Sequence, residues 1–308
     1  MSKANIEKVS VVICTRNRGA SIVETIKSIL ANERSQFELV IMDQSESDST
    51  ELAVKPLLED SRVKFFRTKT KGLGICRNLG LAQTACEIIL MTDDDCVVPI
   101  NWIGKMVEIF EERPAVALAF SAVDAGVHDS SLGYIPAYHP KGSYVVSTSY
   151  DKCKARGIGA SMAFRKSVVV SLGGFDEMLG VGAVFFSCED GDISTRVLMK
   201  AHLIYETDEV SVLHNGFRTW EQGKSGSMAD FFGIGASYSK PFKCGRWDFW
   251  VVPAYEFFFM ALVPPFKNLL NFRKPTGVKR IIGFVKGFSK GLRTKVDRDT
   301  LLFVSQNN

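Results

Sequence analysis

The stretch "EIILMTDDDC", residues 87–96, sets a short apolar run against three successive carboxylates, Asp93, Asp94 and Asp95. The run is too short for a buried helix and carries β-branched residues, so it reads as a buried strand. Like charges crowded at a strand end repel, and such groups need a cation or must partly neutralise. A helix cap accounts for one of the three aspartates and leaves two. Acidic oxygen clusters suit Mg²⁺ or Mn²⁺, and Mg²⁺ is usually held by one or two carboxylates together with substrate phosphates. The stretch therefore points to a divalent metal and a diphosphate.

Outward from it the pattern repeats. "VSVVICT" (Val9–Thr15), "FELVIMD" (Phe37–Asp43), "VKFFRT" (residues 63–68) and "VALAFSAV" (residues 116–123) are further strand-like runs. Helical patterns lie between them at residues 20–32, 49–58, 72–84 and 102–112. Apolar strands alternating with helices predict an α/β fold with a mostly parallel sheet covered on both faces and right-handed crossovers. Ligands of such sheets bind beyond the carboxyl ends of the strands, which places Thr15, Asp43 and Asp93–Asp95 on one crevice.

Downstream, residues 124–151 read as a tyrosine-rich loop and residues 157–164 as a strand. A short helix and a Gly-Gly turn follow, then a helix with Glu189, Asp190 and Asp192 in its first turn, where the helix dipole favours acids. Residues 203–215 resemble two short strands. "NGFRTWEQGKSGSM" then combines Gly216, Gly223 and Gly226 with Arg218, Trp220 and Lys224. That mixture suits either a loop closing over a diphosphate or an ordinary exposed loop.

Composition narrows the classes. A chain of 308 residues with 46% hydrophobic content supports a packed core of one large domain or two lobes and excludes a disordered chain. The formal net charge of +4 is uneven: residues 249–308 hold ten Lys/Arg against three Asp/Glu, leaving the body mildly acidic. An anionic partner is expected for the tail alone. Seven scattered cysteines with no C-x-x-C pair argue against a disulfide framework or a zinc site and for a reducing compartment. No long apolar stretch with a cleavage site opens the sequence, so a cytoplasmic location is expected. No Walker pattern occurs, and "GLGICRNLG" (residues 72–80) has Arg77 where a dinucleotide fingerprint needs its third glycine.

The ordered set "VSVVICTRNR", "ELVIMDQSESDST", "KGLGICRNLGL", "ILMTDDDC", "GGFDE" and "CEDGDISTR" closely resembles family 2 glycosyltransferases of the GT-A fold, over residues 9–215. The resemblance implies inverting transfer of a sugar from a nucleotide-diphosphate donor to an acceptor hydroxyl. It implies a GT-A domain over residues 1–245, with a Rossmann-like nucleotide half (about 1–98) and an acceptor half (99–245), and a C-terminal helical tail over 246–308. By position, Thr15, Arg16 and Asp43 correspond to the nucleoside pocket, with Asp43 at the base edge. A carboxylate there accepts from the N–H of uracil, which favours a UDP-sugar. Arg77, Asp93 and Asp94 correspond to the donor side, Asp93 towards the ribose, and Asp95 to the ligand of Mn²⁺ or Mg²⁺. Asp190, beside Glu189, corresponds to the catalytic base. Asp176 is assigned to acceptor orientation, and Glu189, Arg218 and Trp220 to the acceptor site or the loop that closes over it. His214 either completes the metal shell or hydrogen-bonds in the core. The expected partner is a glycan or lipid-linked acceptor in surface polysaccharide or glycoconjugate synthesis, with no nucleic acid. A nucleotidyltransferase, or a non-catalytic carbohydrate-binding protein on the same fold, are the alternatives.

The tail carries its own pattern. Residues 249–266 are aromatic and apolar, borderline in length for a membrane span, with Glu256 and three prolines. Residues 277–295 place Val278, Ile281, Ile282, Val285, Phe288 and Leu292 at helical spacing, with Lys279, Lys286, Lys290 and Arg293 largely on another face. That reads as a basic amphipathic helix on an anionic leaflet at the inner face of the cell membrane. Packing on the catalytic domain and spanning the membrane are the other two readings. Gly283, Gly287 and Gly291 weaken an isolated helix there.

Overall fold

A computed structural model describes residues 6–272 and 276–305 of the chain. Alternation along the first strands builds two cores at once. Val9, Val11 and Ile13 of strand Val9–Thr15 enter one apolar cluster, and Val12 enters the other. Phe37–Asp43 and Ile88–Asp93 divide in the same way, with Leu39 and Leu90 on one face and Val40 and Ile89 on the opposite one. Successive side chains point to opposite faces, so strands with apolar residues on both faces must be covered twice. Helices Ile22–Leu30 and Trp102–Glu112 cover the first face; Leu73–Gln83 and Glu189–Met199 cover the second.

Among the described residues, nine strands form one sheet, in the order Val63–Arg67, Phe37–Asp43, Val9–Thr15, Ile88–Asp93, Met162–Arg165, Val116–Ala125, Leu203–His214 and Cys96–Val97, with Tyr144–Val146 also on Leu203–His214. The first four pair in parallel, as expected. Met162–Arg165 then enters antiparallel between Ile88–Asp93 and Val116–Ala125, so the second half is mixed. The order reverses at Val9–Thr15, and Cys14 pairs in register with Asp93, so Thr15 and the acidic run open on one crevice.

Three local readings change. Residues 203–215 form one strand, Leu203–His214, whose register slips between Thr207 and Ser211. Residues 157–161 are a turn that precedes the strand Met162–Arg165. The glycine-containing segment after His214 is no loop: helix Trp220–Ser237 begins at a capping box, in which Thr219 Oγ1 accepts from Gln222 N–H and Gln222 Oε1 accepts from Thr219 N–H. The T-x-x-Q spacing was the available signal.

The tail packs on the body. Helix Val278–Arg293 lies against Trp220–Ser237, and its glycines are the contact: a Cβ at Gly287 would stand 1.9 Å from Phe232 O, and one at Gly283 2.4 Å from Met228 O. Glycines four apart lower helix propensity but let two backbones approach closely, which explains their place here.

Candidate active site

A cavity of about 830 Å³ opens at the carboxyl ends of the parallel strands. Thr15, Arg16, Arg18, Gln44, Arg77, Asp93, Asp94, Asp95, Glu189, Asp190, His214 and Arg218 line it. The acidic run turns sharply after Asp93, and the short strand Cys96–Val97 pairs antiparallel with Leu213 and His214. That pairing brings His214 Nε2 to 3.3 Å from Asp95 Oδ1, while His214 Nδ1 faces Pro136 O at 2.9 Å. The Pro136 carbonyl accepts from Nδ1–H. Nε2 donates to Asp95 when the ring is protonated, which burial opposes but Asp95 and Pro136 favour, and it is the ligand atom once that proton is lost.

Asp93, Asp95, Cys96 and His214 offer ligand atoms all within 4.8 Å of one another. Two carboxylates and an imidazole fit Mn²⁺ or Mg²⁺ better than a thiol does, and Cys96 is fully buried. Arg18, which sequence reasoning passed over, donates to Asp94 at 2.9 Å and Asp95 at 2.7 Å. Burial opposes ionisation of Asp95, but His214 and Arg18 overcome it and hold its carboxyl below the usual aspartate range. Burial pushes Asp94 up to about 6 against the pull of Arg18, and it also raises Asp93. Burial therefore opposes the charged form of each member of the run, and Arg18, Arg77 and His214 are the partners that offset it.

Across the cavity, helix Glu189–Met199 presents its first turn. Asp190 Oδ2 accepts from Gly159 N–H at 3.0 Å and Oδ1 from Gly191 N–H at 2.7 Å. Two backbone donors fix the carboxylate and leave a lone pair on each oxygen. Glu189 is buried against Arg77 at 3.0 Å, and burial lifts its carboxyl to about 7 in spite of that guanidinium. Arg77 also stands 3.8 Å from Asp93 and stacks over Phe175. Only a glycine fits beside it, since a Cβ at Gly159 would lie 2.3 Å from Arg77 Nη2.

Three assigned residues sit elsewhere. Asp43 is fully buried and does not line the cavity; its Oδ1 accepts from Ser45 N–H at 2.8 Å and from the Ser45 hydroxyl. Its Oδ2 has no partner among the described residues, and the next residue, Gln44, just past the strand end, lines the cavity. Asp176 is also away from the cavity: it pairs with Lys240 and accepts from Phe303 N–H at 2.8 Å, within a buried network that includes Asp192 and Arg196. Trp220 stacks on Tyr134 and donates to Ser130 O at 3.1 Å, outside the cavity wall. Arg16 is at the rim, paired with Glu46 at 2.8 Å. Lys152, Arg156, Tyr238 and Glu256 extend the far end of the cavity, and no motif marked them.

The sequence model of glycosyl transferase family 2 matches residues 10–170. The chain is 27% identical over 188 residues to the glucosyl-dolichyl phosphate glucuronosyltransferase of Haloferax volcanii, covering 56% of this chain and 57% of that protein. It thus spans little more than half the length of that curated relative. Among solved structures, it resembles the mannosyltransferase PcManGT of Pyrobaculum calidifontis in complex with GDP-Man and Mn²⁺, with a TM-score of 0.64, 16% identity and coverage of 94% of this chain and 88% of that one. It also resembles S. aureus TarS 1-349 in complex with UDP-GlcNAc, with a TM-score of 0.61, 14% identity and coverage of 92% and 80%. At such identities the likeness establishes the fold, a mixed α/β architecture of the GT-A type with helices at the C-terminal end.

Proposed function

The chain belongs to glycosyl transferase family 2, and from that premise we propose that it moves a sugar from a nucleotide-diphosphate donor to an acceptor hydroxyl with inversion. The observation that carries this reading is the facing pair of clusters: a metal-capable group at Asp93, Asp95 and His214, and a backbone-fixed carboxylate at Asp190, on one cavity. Asp95 and His214 would hold the metal, with Asp93 beside them. A divalent ion bound there supplies charge neutralisation for the diphosphate leaving group.

The protein's own part is positioning and proton transfer. Asp190 takes the acceptor hydroxyl's proton as the new C–O bond forms and the bond to the diphosphate oxygen breaks. Arg77, held by Glu189 and Phe175, points its guanidinium to the donor side. Gln44 replaces Asp43 as the group at the base edge. Its Nε2 donates to Thr70 Oγ1 at 3.1 Å and Gly72 O at 3.2 Å, which turns its carbonyl oxygen into the acceptor left for a ligand. That oxygen accepts from the N–H of uracil or thymine and finds no such donor at cytosine, so a UDP- or dTDP-sugar remains the favoured donor. The curated relative named for a dolichyl phosphate substrate supports a lipid-linked acceptor, met at the inner face of the cell membrane.

A thermal-shift screen of UDP-, dTDP-, GDP- and CDP-sugars with Mn²⁺ or Mg²⁺ tests the reading, because a ligand that binds only the folded state raises its melting temperature. Stabilisation by a UDP- or dTDP-sugar with metal is expected. Stabilisation by a CDP-sugar alone would refute the base assignment.

A further inference from the structure

The helical run Trp247–Leu270 is long and apolar enough to cross a membrane by length and composition. Yet Val252, Pro253, Glu256 and Ala261 are buried against the rest of the protein. Glu256 pairs with Arg156 and lines the far end of the catalytic cavity. Those contacts tie the helix to the catalytic body from Val252 to Ala261 and hold it on that body. Its other side is left bare: Phe259 is 59% exposed, Phe266 58% and Leu270 65%, with Phe258 beside the first and Leu262, Val263 and Leu269 between them at helical spacing. Soluble monomers seldom show so long an apolar stripe.

The neighbouring helix Val278–Arg293 repeats the arrangement. It touches the first through Phe257 and Phe284, whose rings stand 5.5 Å apart. Its glycine face is spent on Trp220–Ser237, and Val278, Ile282, Val285 and Leu292 remain exposed. Exposed Lys279, Lys286 and Arg293 alternate with them, and Lys267 stands on the first helix. We propose that these two helices form one docking surface for an anionic lipid bilayer. The aromatic stripe enters the headgroup boundary, and the cations meet anionic headgroups. Charge selects this occupant over a second copy of the chain, because two copies placed face to face would desolvate like cations against each other. Resting on the glycosyl-transfer reading, the surface also has a purpose. The helix that turns Phe258 and Phe259 outward turns Glu256 into the cavity, so a lipid-linked acceptor held in the bilayer lies beside the site.

Flotation of the full chain with vesicles decides it, using phosphatidylcholine alone or with phosphatidylglycerol. The protein should float with the anionic vesicles at low salt and about tenfold less with the neutral ones or at high salt. Phe258→Ser with Phe259→Ser should lower anionic binding about tenfold, and Lys279→Glu with Lys286→Glu should erase the preference for anionic lipid. All four side chains are exposed, and unchanged melting temperatures confirm that the variants fold. Asp190→Asn should float like the wild type, so failure of the transfer chemistry and failure of docking read out separately. A wild-type chain that stays at the bottom with anionic vesicles overturns the proposal. So do variants that float unchanged, or sedimentation showing a dimer that the phenylalanine variant splits.

Discussion

Asp190 and Asp192 lie two residues apart in the first turn of one helix, and they belong to different kinds of site. Asp192 is closed in: it takes Lys240 at 2.6 Å and Arg196 at 2.7 Å, and Lys240 also pairs with Asp176. Arg196 spends its remaining donors on Leu172 O and Gly174 O. Two carboxylates and two cations balance there, away from water. Asp190 instead faces the cavity, where the four carboxylates of Asp93, Asp94, Asp95 and Glu189 share the ion pairs of Arg18, Arg77 and His214. The matched set holds the fold, because removing one member of a buried pair strands the other. The unmatched set costs stability unless a cation arrives, which is the character of a site built for a ligand.

The sharpest way to break that contrast is to mutate both sides. Asp190→Asn should slow sugar transfer about 10²–10⁴-fold, as loss of a general base does, while costing about 1–3 kcal/mol, because the amide nitrogen cannot accept one of the two backbone N–H groups. Lys240→Met should do the reverse: it strands Asp176 and Asp192 and should cost about 3–5 kcal/mol in a denaturant melt. If Asp190→Asn unfolds the protein and Lys240→Met leaves it stable, the division between site and scaffold is wrong.

Metal response comes next in size. Mn²⁺ at a hundred times its dissociation constant should stabilise the wild type by about 2.7 kcal/mol, and Asp95→Asn should remove most of that gain. Equal stabilisation of both proteins would place the ion elsewhere.

The two regions should also answer pH with opposite signs. Glu189 has its carboxyl raised from 4.5 to about 7, chiefly by burial, so the metal-free folded state binds more protons than the unfolded one between those values. Its contribution to stability therefore falls as pH rises through that window. For Asp192, burial is overcome by Lys240 and Arg196 and the carboxyl is lowered. Its contribution is present above the ordinary aspartate value and is lost as pH falls through its lower folded value. Glu189→Gln should lessen the fall in stability between pH 4.5 and 7, leaving the part that the raised carboxyls of Asp93 and Asp94 contribute, without altering the acid limb. The smallest effect belongs to Trp220→Ala, outside the cavity, which should leave the transfer rate within about twofold while losing under about 1.5 kcal/mol of ring stacking.

This contrast also marks how far the sequence could be read. Strand ends, the parallel half of the sheet and the cavity positions of Thr15, Asp93, Asp95, Asp190 and His214 follow from apolar runs and local motifs, because each depends on neighbours close in sequence. Asp176 was misjudged because its partners, Lys240 and Phe303, are 64 and 127 residues away. Asp43 closes its strand fully buried, with Oδ2 left without a partner among the described residues, and Gln44 just beyond it lines the cavity. Arg18 and Glu256 reach the cavity only through tertiary packing. The glycines of Val278–Arg293 read as helix weakeners until the facing backbone is known.

The most direct test is product analysis with the favoured donor, wild type against Asp190→Asn, in Mn²⁺ and in excess chelator. Release of free nucleoside diphosphate together with a glycosylated acceptor is predicted for the wild type with metal. Neither product should form in chelator, and Asp190→Asn should bind donor without transferring the sugar. Transfer at the wild-type rate in chelator, or by Asp190→Asn, would contradict the account.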